Sequence, residues 1–219
     1  MGCFRPHTSG GRRLWRSRPG VWLACLTILV GSYAGAGQTA HADETPVAPG
    51  GPDVVLVDFS DANEVAAWRT VNDPVMGGLS TSQVGFGDGG MVFSGTISLE
   101  NNGGFASARG PENPDIGRRA AGATSLRIRA LGDGKTYVLR VGAGGQPWSY
   151  IQRFSTQAAV ARSYELPITG FQAVGMRLDP APTAPQTLDP STISQVSVYI
   201  LDKQQGPFEL TISSLDAAF

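Results

Sequence analysis

The feature that most constrains the fold is an alternation of apolar and polar side chains with a period of two. In the segment MVFSGTISLE, residues 91–100, one face carries Met91, Phe93, Ile97 and Leu99 and the other carries Ser94, Thr96, Ser98 and Glu100. Residues 125–130, 193–201 and 208–215 alternate in the same way. Further strand candidates are Val54–Phe59, Tyr137–Gly142, Ser149–Ser155, Arg162–Pro167 and Val174–Leu178. Short alternating strands separated by turn signals predict an all-β sandwich or barrel.

Four other segments indicate a helix, turns and a loop. Asp61-Ala-Asn-Glu64 resembles a capping box and predicts one or two helical turns. Asp179–Pro190 holds four prolines and predicts a long surface loop. Gly85–Gly90 matches a dinucleotide-binding pattern but runs into a predicted strand, which favours a turn. Gly132–Lys135 lies between two predicted strands, and a hairpin turn explains it.

The first 42 residues have the pattern of an export signal. A basic stretch from Arg12 to Arg18 precedes an apolar run from Val21 to Tyr33, and Ala40-His41-Ala42 follows. Basic, apolar and then A-x-A is the order found in secretory signal peptides. The sequence therefore predicts that residues 1–42 are a cleaved signal peptide and that the mature chain is exported to the periplasm or secreted.

Three alternatives to a cleaved signal fit the same residues less well. A retained anchor would need roughly 20 apolar residues, more than the run contains. A mitochondrial transit peptide would be amphipathic rather than hold a solid apolar block. A lipoprotein signal would need Cys25 at the cleavage point, and apolar residues continue past it. We therefore expect no membrane span in the mature chain.

The charged and reactive residues are unevenly distributed, and this excludes several functions. Five of the 17 basic residues, both histidines and both cysteines lie in residues 1–42, which carry none of the 18 acidic residues. Residues 43–219 therefore cannot build a Ser-His-Asp triad, a cysteine nucleophile or a His/Cys zinc site. Their net charge of about −6 argues against nucleic-acid binding. We expect residues 43–53 to form a Pro/Gly linker and residues 54–219 a single domain.

Three stretches of the predicted domain are dense in Asn, Asp, Gly and Pro, and they carry a family resemblance. The blocks are Trp68 with Asn72–Ser80, then Ser98–Arg109, then Asp202–Phe208, and Gly132–Tyr137 accompanies them. In this order they resemble the hallmark blocks of the complex I intermediate-associated protein 30 family. The resemblance runs from about residue 56 to residue 215. Pro74 departs from it, because glycine is usual there.

The resemblance implies both a fold and a type of function. It implies a galactose-binding-like jelly-roll β-sandwich, in agreement with the strand pattern. It also implies a non-enzymatic assembly factor, since mitochondrial members help to build respiratory complex I. The arm of complex I built with such factors lies on the matrix or cytoplasmic side, whereas an exported chain would meet the opposite side. A shared fold does not determine function, so two binding hypotheses and one enzymatic hypothesis follow.

The first hypothesis is a module that binds a protein partner, such as a subunit of a membrane complex. Its candidate contact residues are Asn72, Asp73, Met76, Glu100, Asn101, Asn102 and Arg109. Asparagine and glycine in turns need no ligand to explain them, so these blocks could equally serve to shape loops.

The second hypothesis is a carbohydrate-binding module. Trp148 and Tyr150 project from the same side of one predicted strand, where their rings could stack on a sugar. Arg140 or Gln152 would supply hydrogen bonds. The alternative is that both rings belong to the core, where large aromatic side chains mostly lie.

The third hypothesis is a glycoside hydrolase that uses Asp73 and Glu100, which would need two carboxyl groups roughly 5–10 Å apart. We expect no cofactor and no catalytic metal. A structural Ca²⁺ ion is the one exception considered, with Asp58, Asp216 and the Asn101-Asn102 loop as oxygen donors. These residues lack the spacing of an EF-hand.

The resemblance and the charges together predict how the candidate site is organised. We expect Asn72–Ser80 and Glu100–Arg109 to form one surface site. Arg109 is the one basic residue in the two segments, so we expect its guanidinium to pair with Asp73 or Glu100.

Overall fold

A computed structural model describes residues 52–219, which form a sandwich of two antiparallel six-stranded sheets. The first sheet contains β1 (Val54–Asp58), β3 (Thr81–Gly87), β4 (Gly90–Ile97), β6 (Ser125–Leu131), β9 (Ala161–Pro167) and β12 (Gly206–Ala218). The second contains β2 (Arg69–Asn72), β5 (Ala106–Arg109), β7 (Thr136–Ala143), β8 (Ser149–Ser155), β10 (Gln172–Val174) and β11 (Ile193–Ile200). The predicted all-β sandwich is confirmed.

Two predictions about the N-terminal part lie partly or wholly outside the described residues. The export signal falls on residues 1–42 and most of the linker on residues 43–51. Within residues 52–219, the helices are too short and too polar to cross a membrane.

The order of the strands explains why the longest strand is β12. The first sheet runs β3-β4-β12-β6-β9, and β1 pairs with the C-terminal half of β12. The second sheet runs β10-β8-β7-β11-β5-β2. Because β12 spans 13 residues, one of its edges has room for both β4 and β1.

The core lies between the sheets, where the alternating apolar side chains predicted from the sequence meet. Phe93 on β4 and Phe208 on β12 make an edge-to-face contact with ring centroids 4.9 Å apart. Trp68, just before β2, packs on Phe59 at 5.0 Å. Burying each such side chain contributes on the order of 1.5–3 kcal/mol, so the period of two supplies the main driving force.

Within residues 52–219, two short α-helices lie outside the sheets. The predicted helix α1 (Ala62–Ala66) is present, and the Asp61 carboxylate caps it by accepting the Asn63 N–H at 2.8 Å. Helix α2 (Asp115–Ala120) was not predicted, because it is six residues long and holds Gly117 in its middle. That glycine is needed, since a Cβ would overlap the backbone carbonyl of Ser191.

Several strand predictions need correction. Strands β2, β3 and β5 were missed because they carry little alternation of apolar and polar side chains. The candidate strand 174–178 is wrong, because the strand there is β10 and the chain turns after it.

Two turns and one loop were also assigned from the sequence. Gly85–Gly90 contains the expected turn, at residues 88 and 89, and its ends belong to the paired strands β3 and β4. The segment 132–135 is not a hairpin turn, because β6 and β7 belong to different sheets and it crosses between them. The proline-rich segment 179–190 is a loop, although it buries Ala184 and Leu188 in the core.

Candidate functional site

The three dense stretches meet at one end of the sandwich. One follows β2, the second connects β4 to β5, and the third crosses from β11 to β12. The backbone N–H of Gly104 in the second stretch donates to Asp73 in the first at 2.6 Å. A Cβ placed on Gly104 would lie 4.0 Å from the Cα of Lys203 in the third. The prediction that the first two stretches come together is correct.

The Asp73 carboxylate organises this end of the molecule. Asp73 is 1 % exposed and accepts four hydrogen bonds. The Ser80 N–H (2.8 Å) and hydroxyl (2.5 Å) donate to it, as do the backbone N–H groups of Gly104 (2.6 Å) and Phe105 (3.1 Å). Burial by itself raises the pKa of Asp73, but these four donors outweigh burial and hold the pKa below its ordinary value.

The glycines of the two stretches are explained by how closely the chain packs around this carboxylate. A Cβ on Gly78 would overlap the Asp73 carboxyl group. A Cβ on Gly103 would lie 2.8 Å from its Oδ2 and 2.7 Å from the carbonyl oxygen of Ser98. A side chain at either position would push one loop away from the other. Much of the Asp, Gly and Ser content of both stretches therefore serves to close them on one buried charge.

The expected ion pair of Arg109 is not formed. Its Nε donates to the Ser107 hydroxyl at 3.2 Å, and its guanidinium lies 5.4 Å from the centre of the Tyr199 ring. In the described part of the chain, no carboxylate lies within ion-pair distance of Arg109. Glu100 is exposed, and Asp73 is bonded by neutral donors. Three backbone N–H groups and the Ser80 hydroxyl therefore bind the Asp73 carboxylate in place of the expected Arg109 guanidinium.

The two stretches present apolar side chains and amides to solvent. Val75, Met76 and Leu79 are 71 %, 69 % and 52 % exposed. Asn101 and Asn102 of the second stretch are also exposed and adopt left-handed backbone conformations, with φ of 55° and 60°. We call these five residues the loop surface. The sequence analysis missed Val75 and Leu79, which were visible as apolar residues inside a turn-forming stretch with no strand period to bury them.

The remaining predicted contact residues have other roles or positions. Asn72 is half-buried, and its side-chain amide lies 2.6 Å from the Ser82 hydroxyl. That contact ties β2 to the start of β3, so the Asn72 amide is used within the domain. Glu100 stays exposed beside the loop surface.

The comparison with protein families covers the stretches that meet around Asp73. The model of the family described as complex I intermediate-associated protein 30 matches residues 57–212. This chain belongs to that family. No curated protein matches the sequence of this family member significantly.

Two solved structures to which this chain is similar are carbohydrate-binding modules. The family 11 module of the cellulosomal cellulase Lic26A-Cel5E of Clostridium thermocellum has a TM-score of 0.53 and 13 % identity, over 77 % of this chain and 95 % of that one. The solution structure of CtCBM11 has a TM-score of 0.50 and 12 % identity, over 79 % of this chain and 97 % of that one. At such identities the likeness shows the fold alone, which is a galactose-binding-like β-sandwich.

The aromatic pair considered for sugar stacking in this family member faces the core. Tyr150 is buried, and its hydroxyl donates to the carbonyl oxygen of Pro185 at 3.0 Å. Trp148 is half-buried and packs against the core. Gln152 also points inward, whereas Arg140 lies on the opposite face of the sheet. In the described residues the two rings do not form an exposed stacking pair, which agrees with the alternative that they belong to the core.

The residues considered for a hydrolytic or a calcium site do not fit either chemistry. Asp73 is buried, with a lowered pKa, so it is a poor proton donor. Asp216 pairs with Arg129 at 2.9 Å, and Asp58 accepts from the Ser60 hydroxyl at 2.6 Å. Within residues 52–219, no group of three or more His, Cys, Asp or Glu residues could hold a metal ion.

Proposed function

We propose that this chain is a non-enzymatic binding module that docks a protein partner through the loop surface. The observation that carries the proposal is the exposure of Val75, Met76 and Leu79 within five residues of each other. Large apolar side chains clustered on a loop, rather than scattered over the surface, mark interaction sites. Methionine is also enriched in protein interfaces.

The way in which the loop is held supports docking. Asp73 and Gly78 close the loop from beneath, so the apolar side chains are presented from a fixed backbone. A pre-organised surface loses less conformational entropy on binding than a free loop does. Asn101 and Asn102 add hydrogen-bonding groups at its rim. The partner expected from this chemistry has an apolar pocket bordered by polar groups, and the family description suggests a subunit of a membrane complex under assembly.

We also propose that the mature protein is exported, on the evidence of residues 1–42. The A-x-A site predicts that the mature chain begins at or near Asp43. Intact-mass measurement on protein from its native cells tests this. A mass that retains residues 1–42 would contradict export, and the proposed partner would then be expected on the cytoplasmic side.

The docking proposal is tested by affinity capture from native cells, followed by mass spectrometry. We expect Met76→Asp to lose the captured partner because it places a charge in the apolar contact. Met176→Asp is the matched control, since Met176 is 85 % exposed in a different loop. Both variants should melt like the wild type. Equal capture by all three proteins would show that the loop surface is not the docking site.

Glycan binding is the second candidate function, and the shared fold with carbohydrate-binding modules supports it. A glycan site would need residues other than Trp148 and Tyr150. Binding of a neutral or charged polysaccharide by a Met76→Asp variant that has lost its protein partner would separate the two functions.

A further inference from the structure

Three arginines are aligned across the second sheet. In the strand register, Arg69 on β2 lies opposite Arg109 on β5, and Arg109 lies opposite Ser197 on β11. Ser197 in turn lies opposite Arg140 on β7. Directly opposed residues of antiparallel strands project from the same face. We call Arg69, Arg109 and Arg140 the arginine row.

The arginine row faces away from the core. On β11, Val196 and Val198 belong to the main core between the sheets. Ser197 lies between them in sequence and so projects from the opposite face. The same face carries Tyr199, which lies two residues after Ser197 on β11. The row therefore lies on the outer surface of the second sheet.

The positive charges of the row are not balanced by the protein. Arg69 donates to the carbonyl oxygens of Ala66 and Trp68. Arg109 and Arg140 donate through Nε to the hydroxyls of serines 107 and 149, at 3.2 and 2.8 Å. In residues 52–219, the terminal nitrogens of Arg109 and Arg140 make no hydrogen bond, and no carboxylate lies within ion-pair distance of any of the three arginines. By contrast, the arginines that pair with carboxylates are Arg118, Arg127, Arg129 and Arg153.

Two of these side chains are held ready for a ligand. Arg109 and Arg140 are half-buried, and each is anchored by a serine. Arg109 is also stacked near the Tyr199 ring. The anchors leave the planar end of each guanidinium free to grip a carboxylate or sulfate with two parallel hydrogen bonds.

The spacing of the row indicates an extended ligand. Arg109 and Arg140 are two strands apart, which is about 10 Å between backbones. One small anion cannot bridge that distance, but a polymer with repeated charges can. Strands β5, β11 and β7 are each paired on both sides, so a peptide could not add there as a strand. A polysaccharide is recognised by side chains alone, and Arg109 and Arg140 are separated by one strand whose residue in the row, Ser197, is buried.

We propose that the arginine row binds a linear anionic polysaccharide, whose carboxylate or sulfate groups sit on Arg109 and Arg140. The proposal rests on the glycan-binding candidate and adds its ligand class and its residues. It is independent of the loop surface, which lies at the end of the sandwich.

Affinity electrophoresis and calorimetry of the chain with three probes test the proposal. Polygalacturonate carries carboxylates, dextran sulfate carries sulfates, and dextran is neutral. We expect binding to one or both polyanions and not to dextran, with an affinity that falls as salt rises from ~0.05 to ~0.5 M. Arg109→Gln and Arg140→Gln should each weaken binding roughly tenfold, the loss expected for one charge-assisted contact. Arg162→Gln on β9 removes the same charge from the other sheet and should bind like the wild type.

Each of the following results would overturn the proposal. An equal loss in Arg162→Gln, or equally tight binding of poly-L-glutamate, would show general charge attraction rather than a glycan site. Binding to dextran alone would leave glycan binding in place but refute the anionic ligand. Binding to none of the three would refute the arginine row as a site for anionic polysaccharides. Thermal melting checks folding, and if Arg109→Gln is unfolded, Arg140→Gln decides.

Discussion

Replacing Asp73 with asparagine tests the central structural argument, because it changes one oxygen into an N–H₂ group and little else. The Asp73 Oδ2 accepts from the Ser80 hydroxyl and the N–H groups of Gly104 and Phe105, while Oδ1 accepts from the Ser80 N–H. An asparagine oxygen placed at the Oδ2 position can serve at most two donors well. The new N–H₂ group would then face the Ser80 N–H, donor against donor.

The expected loss of stability follows from this count. One buried donor left without an acceptor costs about 1–3 kcal/mol, and the remaining bonds weaken because the acceptor is no longer charged. We therefore expect Asp73→Asn to lower the free energy of unfolding by about 3–5 kcal/mol. Total stabilities of domains are roughly 5–15 kcal/mol, so the change should be easily measured.

The loss of stability caused by Asp73→Asn should depend on pH. The pKa of Asp73 is lower in the folded than in the unfolded protein, so its contribution is complete above the unfolded pKa of about 4. It is lost as the pH falls through the folded pKa. The stability difference between the wild type and Asp73→Asn should therefore be largest at neutral pH and shrink below about pH 4. Asp58 and Asp202, whose pKa values are also lowered, remain in both proteins and cancel.

Urea denaturation followed by tryptophan fluorescence, at several pH values, measures both effects. Asp88→Asn is the matched control, because Asp88 is an exposed turn residue with φ of 51°, a conformation that asparagine adopts readily. It should change stability by less than about 0.5 kcal/mol. The reasoning is refuted if Asp73→Asn unfolds at the wild-type midpoint, or if its deficit is the same at pH 3 as at pH 7.

Two further predictions follow from the contacts around the site. Gly78→Ala should destabilise the domain by about 2–4 kcal/mol in thermal melting, because the added Cβ would overlap Asp73. Gly85→Ala is the control and should be nearly neutral, because the space around Gly85 is open. Arg109→Ala should cost only about 1–2 kcal/mol in urea denaturation, because it loses a hydrogen bond and the contact with Tyr199 rather than a buried ion pair; a loss above 4 kcal/mol would contradict this account.

The class of fold could be predicted from the sequence because it depends on local periodicity. A period of two in 91–100 and 208–215 places apolar side chains on one side of a strand wherever that strand lies in the molecule. The capped helix after Asp61 is local in the same sense. Strands β2, β3 and β5 carried no such pattern, and pairing with neighbouring strands defines them.

The sequence by itself also determined the family, through blocks of turn-forming residues in a set order. Those blocks indicated which loops form the candidate site. Only the tertiary structure decided what these residues do. Asp73 bonds to Gly104, 31 positions away, and Arg109 contacts Tyr199 instead of a carboxylate. The arginine row likewise unites Arg69 and Arg140 from strands β2 and β7, which are distant in sequence. Strand register and sheet order determine which residues become partners. Register and sheet order depend on how the whole chain packs rather than on any local pattern.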